Sequence, residues 1–247
     1  MKKFRADLHV HTVLSPCADL DMSPDQIVRR AREYGLDILA ITDHNSTKQC
    51  SIVRKVAQDS GLLIVNGCEV NSVEEVHSLC LFEDDYTMNE FQLFLDKHLP
   101  NIPNHPSYFG YQVVVNEKNE ITEEIENYLG SALSADIETI EKKVHELNGL
   151  FIPAHIDRPI NSIFTQLGFI PPDLKVDAMQ ITGRAKEKRI REQFDLHEER
   201  SLIKCSDAHY LEDLGPTYTS FHLHELSFKE LKWALLQKNG RKVSIDV

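Results

Sequence analysis

The stretch Ala6-Asp7-Leu8-His9-Val10-His11-Thr12 (ADLHVHT, residues 6–12) is the one from which the fold can be read. Successive side chains of a β-strand point to opposite faces, so residues 7, 9 and 11 share one face and residues 8 and 10 the other. Burying a carboxylate and two imidazoles on one face is costly unless something pairs with them. The stretch therefore predicts a strand that ends at a site for cations.

Apolar runs of strand length follow, separated by helical segments. The predicted strands are residues 6–11, 37–44, 62–70, 77–82, 150–155, 177–182 and 201–209. The predicted helices are residues 23–35, 47–59, 88–98, 134–149, a charged segment after residue 182, and 227–240. About seven strands alternating with helices indicate a single α/β domain over residues 1–247, either a barrel or a doubly wound sheet.

Residues 99–121 interrupt this alternation. The segment is rich in Pro and Asn (LPNIPNHPSYFG) and then resembles a small hairpin with a polar turn (YQVVVNEKNEI). Because regular alternation resumes after it, we interpret residues 99–121 as an insertion or lid rather than a linker. A second His-x-His sequence, His222 and His224 in SFHLHEL, has no acidic companion nearby and is interpreted as an alternating surface segment.

Residues of the kind that bind metals lie at the C-terminal ends of five predicted strands. They are His9 and His11, Asp43 and His44, Glu69, His155, and Asp207 and His209, while His77 stands apart at the beginning of its strand. In a parallel barrel these ends converge on one face, where active sites are built. Independent structural histidines would not favour strand ends, so the pattern predicts one shared pocket. Asp7 and Asp43 are expected to support the ligands, Asp43 by orienting an imidazole N–H.

The motifs DLHVHT, ITDHN, GCEVN, PAHIDRP and CSDAH, in that order, resemble those of the PHP (polymerase and histidinol phosphatase) family. The resemblance runs from residue 6 to about residue 240 and implies a distorted (β/α)7 TIM-like barrel. It implies metal ligands at His9, His11, His44, Glu69, His77, His155, Asp207 and His209, with Glu69 bridging two metals. The family's H-S-x-x-S-D-G motif is lengthened here to HTVLSPCADLDMSP. Aligning the downstream Ser-Pro places Asp19 at the position of the ninth expected ligand, with Asp21 as the alternative. The SPCAD form resembles stand-alone phosphoesterases rather than polymerase-attached domains.

Six imidazoles and three carboxylates would form a mixed nitrogen and oxygen site. Such a site favours Zn²⁺, Mn²⁺ or Fe²⁺ over Mg²⁺ or Ca²⁺. The resemblance implies two or three of these divalent metals, which would activate a water against phosphorus. The residues expected to act in catalysis are His9, His11, Glu69, Asp207 and Arg158.

Two arginines follow predicted strands and are expected to bind the substrate phosphate. They are Arg158 and Arg184, whose guanidinium groups match the geometry of phosphate oxygens. A salt bridge with Asp157 or with an acid at the rim is the alternative for Arg158. Metal-dependent amide hydrolysis in a related barrel is disfavoured, because no lysine lies at a strand end to bridge two metals.

The composition of the chain argues against several kinds of partner and location. The net charge of −12 argues against stable binding of duplex nucleic acid and of anionic membranes. No stretch approaches the roughly 18 apolar residues of a membrane span, and the N-terminus lacks the apolar region of a signal peptide. The five scattered cysteines suit reduced thiols, so a cytoplasmic location is expected.

The leading functional hypothesis is a metal-dependent phosphomonoesterase that acts on a small metabolite or nucleotide. The alternative is a phosphodiesterase or exonuclease on short oligonucleotides, since both reactions use the same metal site. A non-catalytic metal-binding module ranks third, because such a domain should have lost ligands and this chain has a candidate at all nine positions. The sequence predicts no particular oligomeric state.

Overall fold

The computed structural model describes residues 1–245, which contain eleven strands and eight helices. The strands are β1 (Lys2–Val10), β2 (Ile38–Ile41), β3 (Leu63–Asn71), β4 (His77–Phe82), β5 (Val113–Val115), β6 (Ile121–Glu124), β7 (Leu150–Pro153), β8 (Met179–Ile181), β9 (Leu202–Lys204), β10 (Thr219–Leu223) and β11 (Lys242–Ser244). The helices are α1 (Pro24–Glu33), α2 (Cys50–Val56), α3 (Asp85–His98), α4 (Pro106–Phe109), α5 (Ile137–Glu146), α6 (Ile163–Gln166), α7 (Glu187–Phe194) and α8 (Phe228–Leu235). Within residues 1–245, no helix is both long enough and apolar enough to cross a lipid bilayer.

A curled sheet of seven strands, in the order β11-β10-β1-β2-β3-β4-β7, forms most of the barrel wall. Strands β1, β2 and β3 are parallel, whereas β4 is antiparallel to both β3 and β7. The pair β8–β9 completes the wall: Ile156 N donates to Gln180 O beyond β7, and His11 N donates to Ala208 O beyond β9. The predicted α/β fold, a distorted TIM-like barrel, is confirmed, although its strands are not all parallel.

Both faces of the sheet are buried, which explains the continuous apolar runs in the sequence. In β2, Ile38 and Ala40 face one core, which α8 covers, while Leu39 and Ile41 face the core beneath α1, α2, α3 and α5. All four side chains are fully buried. The sheet therefore has an apolar core on each of its faces, and many of its buried polar side chains lie at or near the ends of its strands.

The interpretation of SFHLHEL as a surface segment is wrong. Its first residues belong to β10, which pairs with the N-terminal half of β1 in an antiparallel register. Phe221 and Leu223 are fully buried in the core beside α8, and the side chain of His222 lies on the other face, 3.2 Å from Ser244 Oγ. The alternation reflects a strand whose apolar face meets the core rather than solvent.

The predicted insertion, residues 99–121, contains α4 and the first strand of the predicted hairpin, which β5 and β6 form. Strand β6 continues to Glu124, beyond the expected end of the insertion, and irregular chain follows until α5. Val113 and Val115 pack against Val13, and Leu129 packs against Leu14, so the insertion lies on the loop that follows β1. Its role as a lid stays a prediction.

Candidate metal centre

Glu69, near the end of β3, lies at the middle of a buried cluster of histidines. Its side chain is 1% exposed. Five imidazole nitrogens surround its two oxygens: His77 Nδ1 at 3.0 Å, His155 Nε2 and His44 Nδ1 at 3.2 Å, His9 Nε2 at 3.3 Å and His11 Nε2 at 3.4 Å. These residues come from four different strand ends, so the barrel brings distant parts of the chain to one carboxylate.

His77 joins this cluster although it begins its strand rather than ending it. Strand β4 runs antiparallel to β3, and His77 pairs with Asn71 at the C-terminal end of β3. The first residue of β4 therefore lies at the same edge of the sheet as the last residues of β3. Because β4 runs in the opposite direction, the residue that reaches the cluster is the first of this strand and not the last.

A second carboxylate, Asp207, lies beside the first two histidines after the chain leaves β9. Its Oδ1 is 3.1 Å from His9 Nε2 and 3.3 Å from His11 Nε2. The imidazole of His209 stacks on that of His11 with 4.1 Å between ring centroids. Arg158 Nη2 lies 2.6 Å from Asp207 Oδ2, with 43% of the Arg158 side chain exposed. Arg158 therefore contacts the buried cluster through Asp207 while part of its side chain remains in contact with solvent.

His11 is held by a chain of hydrogen bonds that fixes its tautomer. Ser15 Oγ donates to Asp43 Oδ1 at 2.6 Å and therefore accepts from His11 Nδ1, at 2.8 Å. Thr12 also donates to Asp43, from its backbone N at 2.7 Å and from its hydroxyl at 2.8 Å. With the proton on Nδ1, the lone pair of His11 Nε2 points towards Glu69 and Asp207.

The expected support from Asp43 is therefore present, but it acts on His11 through Ser15. Sequence reasoning missed Ser15, although its place four residues after His11 in HTVLS was the available signal. Asp7, the other expected support, is fully buried, and its Oδ1 accepts from the backbone N–H groups of His9 and Ser206. Asp7 thus orders the chain at the ends of β1 and β9.

The electrostatics of the cluster are those of a site for positive charge. Burial alone would lower the pKa of His11, but hydrogen bonds to Asp207 and Glu69 outweigh burial and raise this pKa to about 10. Burial and the nearby charge of His11 lower the pKa of His209 to about 4. Burial raises the pKa of Asp7 to about 6. Positive charge, as a proton or as a cation, is therefore stabilised between Glu69 and Asp207.

The arrangement of donor atoms fits divalent metals. Three groups each place their ligand atoms within 4.8 Å of one another: His9, His11, Glu69 and Asp207; His44, Glu69 and His77; and His11, His44 and His209. His9 Nε2 faces His11 Nε2 at 3.1 Å, a contact that two lone pairs tolerate only with a proton or cation between them. His155 Nδ1 is buried and has no hydrogen-bond partner among residues 1–245. Glu69 belongs to two of the groups, as a bridging ligand would.

The structure brings together eight of the residues expected in the site. They are His9, His11, His44, Glu69, His77, His155, Asp207 and His209. Asp19 is exposed and its carboxylate accepts from Asp21 N, while its own backbone N donates to His209 O. The side chain of Asp19 thus lies outside the three groups, and a ligand role for Asp19 or Asp21 stays a prediction.

The two expected phosphate-binding arginines differ in position. Arg158 pairs with Asp207 and not with Asp157, whose carboxylate instead accepts from Thr182 N and Oγ1. Arg184 is exposed and lines a cleft of about 1410 Å³ whose walls contain none of the eight clustered residues. The expected contact of Arg184 with the substrate therefore has no support from its position.

Comparison with known proteins gives matches over part of the chain and, in some cases, over nearly all of it. A family model described as the PHP domain matches residues 7–153. The uncharacterised protein YqxK of Bacillus subtilis (strain 168) is 23% identical over 98% of this chain and 64% of its own length. The 5'-3' exoribonuclease Rnm of Escherichia coli (strain K12) is 37% identical over 75 residues, 30% of this chain and 25% of Rnm.

A solved structure shows the same fold. The lesion-specific endonuclease PfuEndoQ from Pyrococcus furiosus superposes with a TM-score of 0.77 and 20% identity over 98% of this chain and 58% of its own. The chain spans less than two thirds of the length of these three proteins.

Proposed function

Because the chain belongs to the PHP domain family, we propose that it hydrolyses phosphate esters at the metal centre around Glu69. The observation that carries the proposal is the convergence of six imidazoles and two carboxylates from separate strand ends on one pocket. Burying so many titratable groups together is costly in a domain that only needs to fold. A site for several cations accounts for that cost.

Two or three divalent ions, Zn²⁺, Mn²⁺ or Fe²⁺, are the proposed cofactors. The mixed nitrogen and oxygen donors suit these ions. His9, His11, Glu69 and Asp207 would hold one ion, and Glu69, His44 and His77 would hold a second. When bound, such ions supply an acidified water and polarise the phosphoryl oxygens.

Arg158 is the proposed substrate-binding group of this chain. Its Nη2 lies 2.6 Å from Asp207 Oδ2 and 43% of the side chain is exposed, so Arg158 is positioned by one carboxylate and remains open to a ligand. A guanidinium can donate two parallel hydrogen bonds to a phosphate while keeping a third with Asp207. Arg158 would thus hold the phosphate beside the ions.

Two substrate classes follow from this proposal. A phosphomonoester of a small metabolite or nucleotide is the first, as expected from the sequence. A phosphodiester of a short oligonucleotide is the second, and it is favoured by the activities of two similar proteins, an exoribonuclease and a lesion-specific endonuclease. The net charge of −12 favours short single strands over duplexes.

The test compares p-nitrophenyl phosphate, bis(p-nitrophenyl) phosphate and a short single-stranded oligonucleotide as substrates, with Mn²⁺ or Zn²⁺ added. We expect hydrolysis of at least one substrate, with Glu69→Ala inactive under the same conditions. Preference for the first substrate would support the monoester class, and preference for the other two the diester class. Metal uptake without hydrolysis of any phosphate ester would leave only a non-catalytic metal-binding module.

A further inference from the structure

A buried glutamine lies behind His9, on the side away from Glu69. Gln180 is in the middle of β8 and is 1% exposed. Its Oε1 is 2.8 Å from His9 Nδ1 and 3.4 Å from the backbone N of His155. One side-chain oxygen therefore contacts two segments, at the ends of β1 and β7, that each carry a candidate metal ligand.

The contact with His155 determines which way the amide of Gln180 points. A backbone N–H can only donate, so the atom that faces it must be the carbonyl oxygen and not the amide nitrogen. The same oxygen faces His9 Nδ1, which must then carry the proton and donate it. In the neutral imidazole, the lone pair is left on His9 Nε2.

That nitrogen is the one directed into the cluster. His9 Nε2 lies 3.1 Å from Asp207 Oδ1 and 3.3 Å from Glu69 Oε2. Gln180 is anchored as well, because its backbone oxygen accepts from Ile156 N at 2.9 Å. The acceptor is thus held rigidly in the barrel wall, and its hydrogen bond sets both the tautomer and the ring plane of His9.

We propose that Gln180 is a positioning residue of the metal centre: it holds His9 in the tautomer whose Nε2 can bind a cation. This inference rests on the proposed metal centre but not on the hydrolysis of any phosphate ester. A hydrogen bond from the second nitrogen of a metal-binding imidazole orients the ring and makes it a better ligand. Losing such a partner weakens metal binding by about 10- to 100-fold.

The test uses two substitutions in the full chain. Gln180→Met keeps the length of the side chain but removes the acceptor, and Gln180→Glu keeps an acceptor for both donors. Zinc affinity is measured by competition with a chromophoric chelator. We expect Gln180→Met to bind its tightest zinc about 10- to 100-fold more weakly than the wild type, and Gln180→Glu to bind close to the wild type. Equal zinc affinity in all three proteins would overturn the proposal.

A spectroscopic measurement separates positioning from a merely structural role. NMR spectra of the ¹⁵N-labelled, zinc-loaded wild type correlate the imidazole nitrogens with their protons, and they should show the proton of His9 on Nδ1. A proton on Nε2 would contradict the proposal. A urea unfolding curve for Gln180→Met shows whether weaker zinc binding reflects loss of folding. Hydrolysis is read separately, so a wild type that binds zinc but cleaves nothing refutes the proposed function alone.

Discussion

Asp43 offers a quantitative test of how the centre is held together. It is 1% exposed and accepts three hydrogen bonds of 2.6–2.8 Å, two of them from Thr12 and one from Ser15. We compare Asp43→Leu, which removes all three acceptors, with Asp43→Asn, which is nearly isosteric. The two variants differ in whether Ser15 still has a fixed acceptor.

The contacts determine how much each change should cost. Thr12 N and Ser15 Oγ both donate to Oδ1, which the amide oxygen of Asn can replace. The hydroxyl of Thr12 faces Oδ2, and it can rotate to accept from the Asn amide. Hydrogen bonds to a charged acceptor contribute about 1.5–3 kcal/mol each, and relief of the buried charge offsets part of their loss. We therefore expect Asp43→Leu to lose about 3–5 kcal/mol of unfolding free energy and Asp43→Asn about 1–2 kcal/mol.

The same contacts predict the effect on metal binding. In Asp43→Asn, Ser15 still donates to residue 43 and still accepts from His11, so the tautomer of His11 is kept. Zinc affinity should fall by less than about 10-fold in Asp43→Asn and by about 10- to 100-fold in Asp43→Leu. Urea unfolding of the metal-free proteins measures the first quantity, and chelator competition the second. A fall in zinc affinity of the same size in both variants, or no fall in Asp43→Leu, would contradict a role of Asp43 in positioning His11.

Three further predictions concern the rest of the molecule. Because Glu69 belongs to two ligand groups, Glu69→Gln should remove at least one equivalent of bound metal, measured by elemental analysis. The same substitution should lower turnover of p-nitrophenyl phosphate by at least about 100-fold. A hydrogen bond to Asp177 raises the pKa of His145 in the folded state. Protonated His145 therefore stabilises the fold fully at pH values below its pKa in the unfolded chain, and this contribution is lost as the pH rises through its pKa in the folded state. Wild type should therefore exceed His145→Gln in urea stability at pH 6 and by less at pH 9, and a gap that widens with pH would contradict this. Asn45 Nδ2 donates to Leu129 O and Ser131 O, so Asn45→Ala should speed amide hydrogen exchange in residues 99–134 without changing exchange in α8.

The sequence was sufficient to predict most of the barrel, for a physical reason. Strands buried on both faces read as continuous apolar runs, and the seven predicted ones are all present. It was insufficient for β10 and β11, because β10 alternates like a half-exposed strand although its apolar face, with Phe221 and Leu223, is buried beside α8. Alternation tells which side chains share a face but not what covers it.

The candidate site was predictable to the extent that ligand chemistry is marked by residue type. Imidazoles and carboxylates at strand ends pointed to His9, His44 and Glu69 whatever the exact register. The direction of β4, and with it the place of His77, depends on pairing between strands and is not written in any local pattern. Supporting residues such as Gln180 were missed because a glutamine in an apolar strand carries no signal until its partner is known.

Anomalous diffraction from crystals grown with Mn²⁺ or Zn²⁺ tests most directly whether the cluster around Glu69 binds several metal ions. We predict two or three peaks within the cluster, one bounded by His9, His11 and Asp207 and a second on the side of His44 and His77, with Glu69 between them. Crystals of the loaded protein with no peak in the cluster, or with metal bound only elsewhere on the chain, would contradict it.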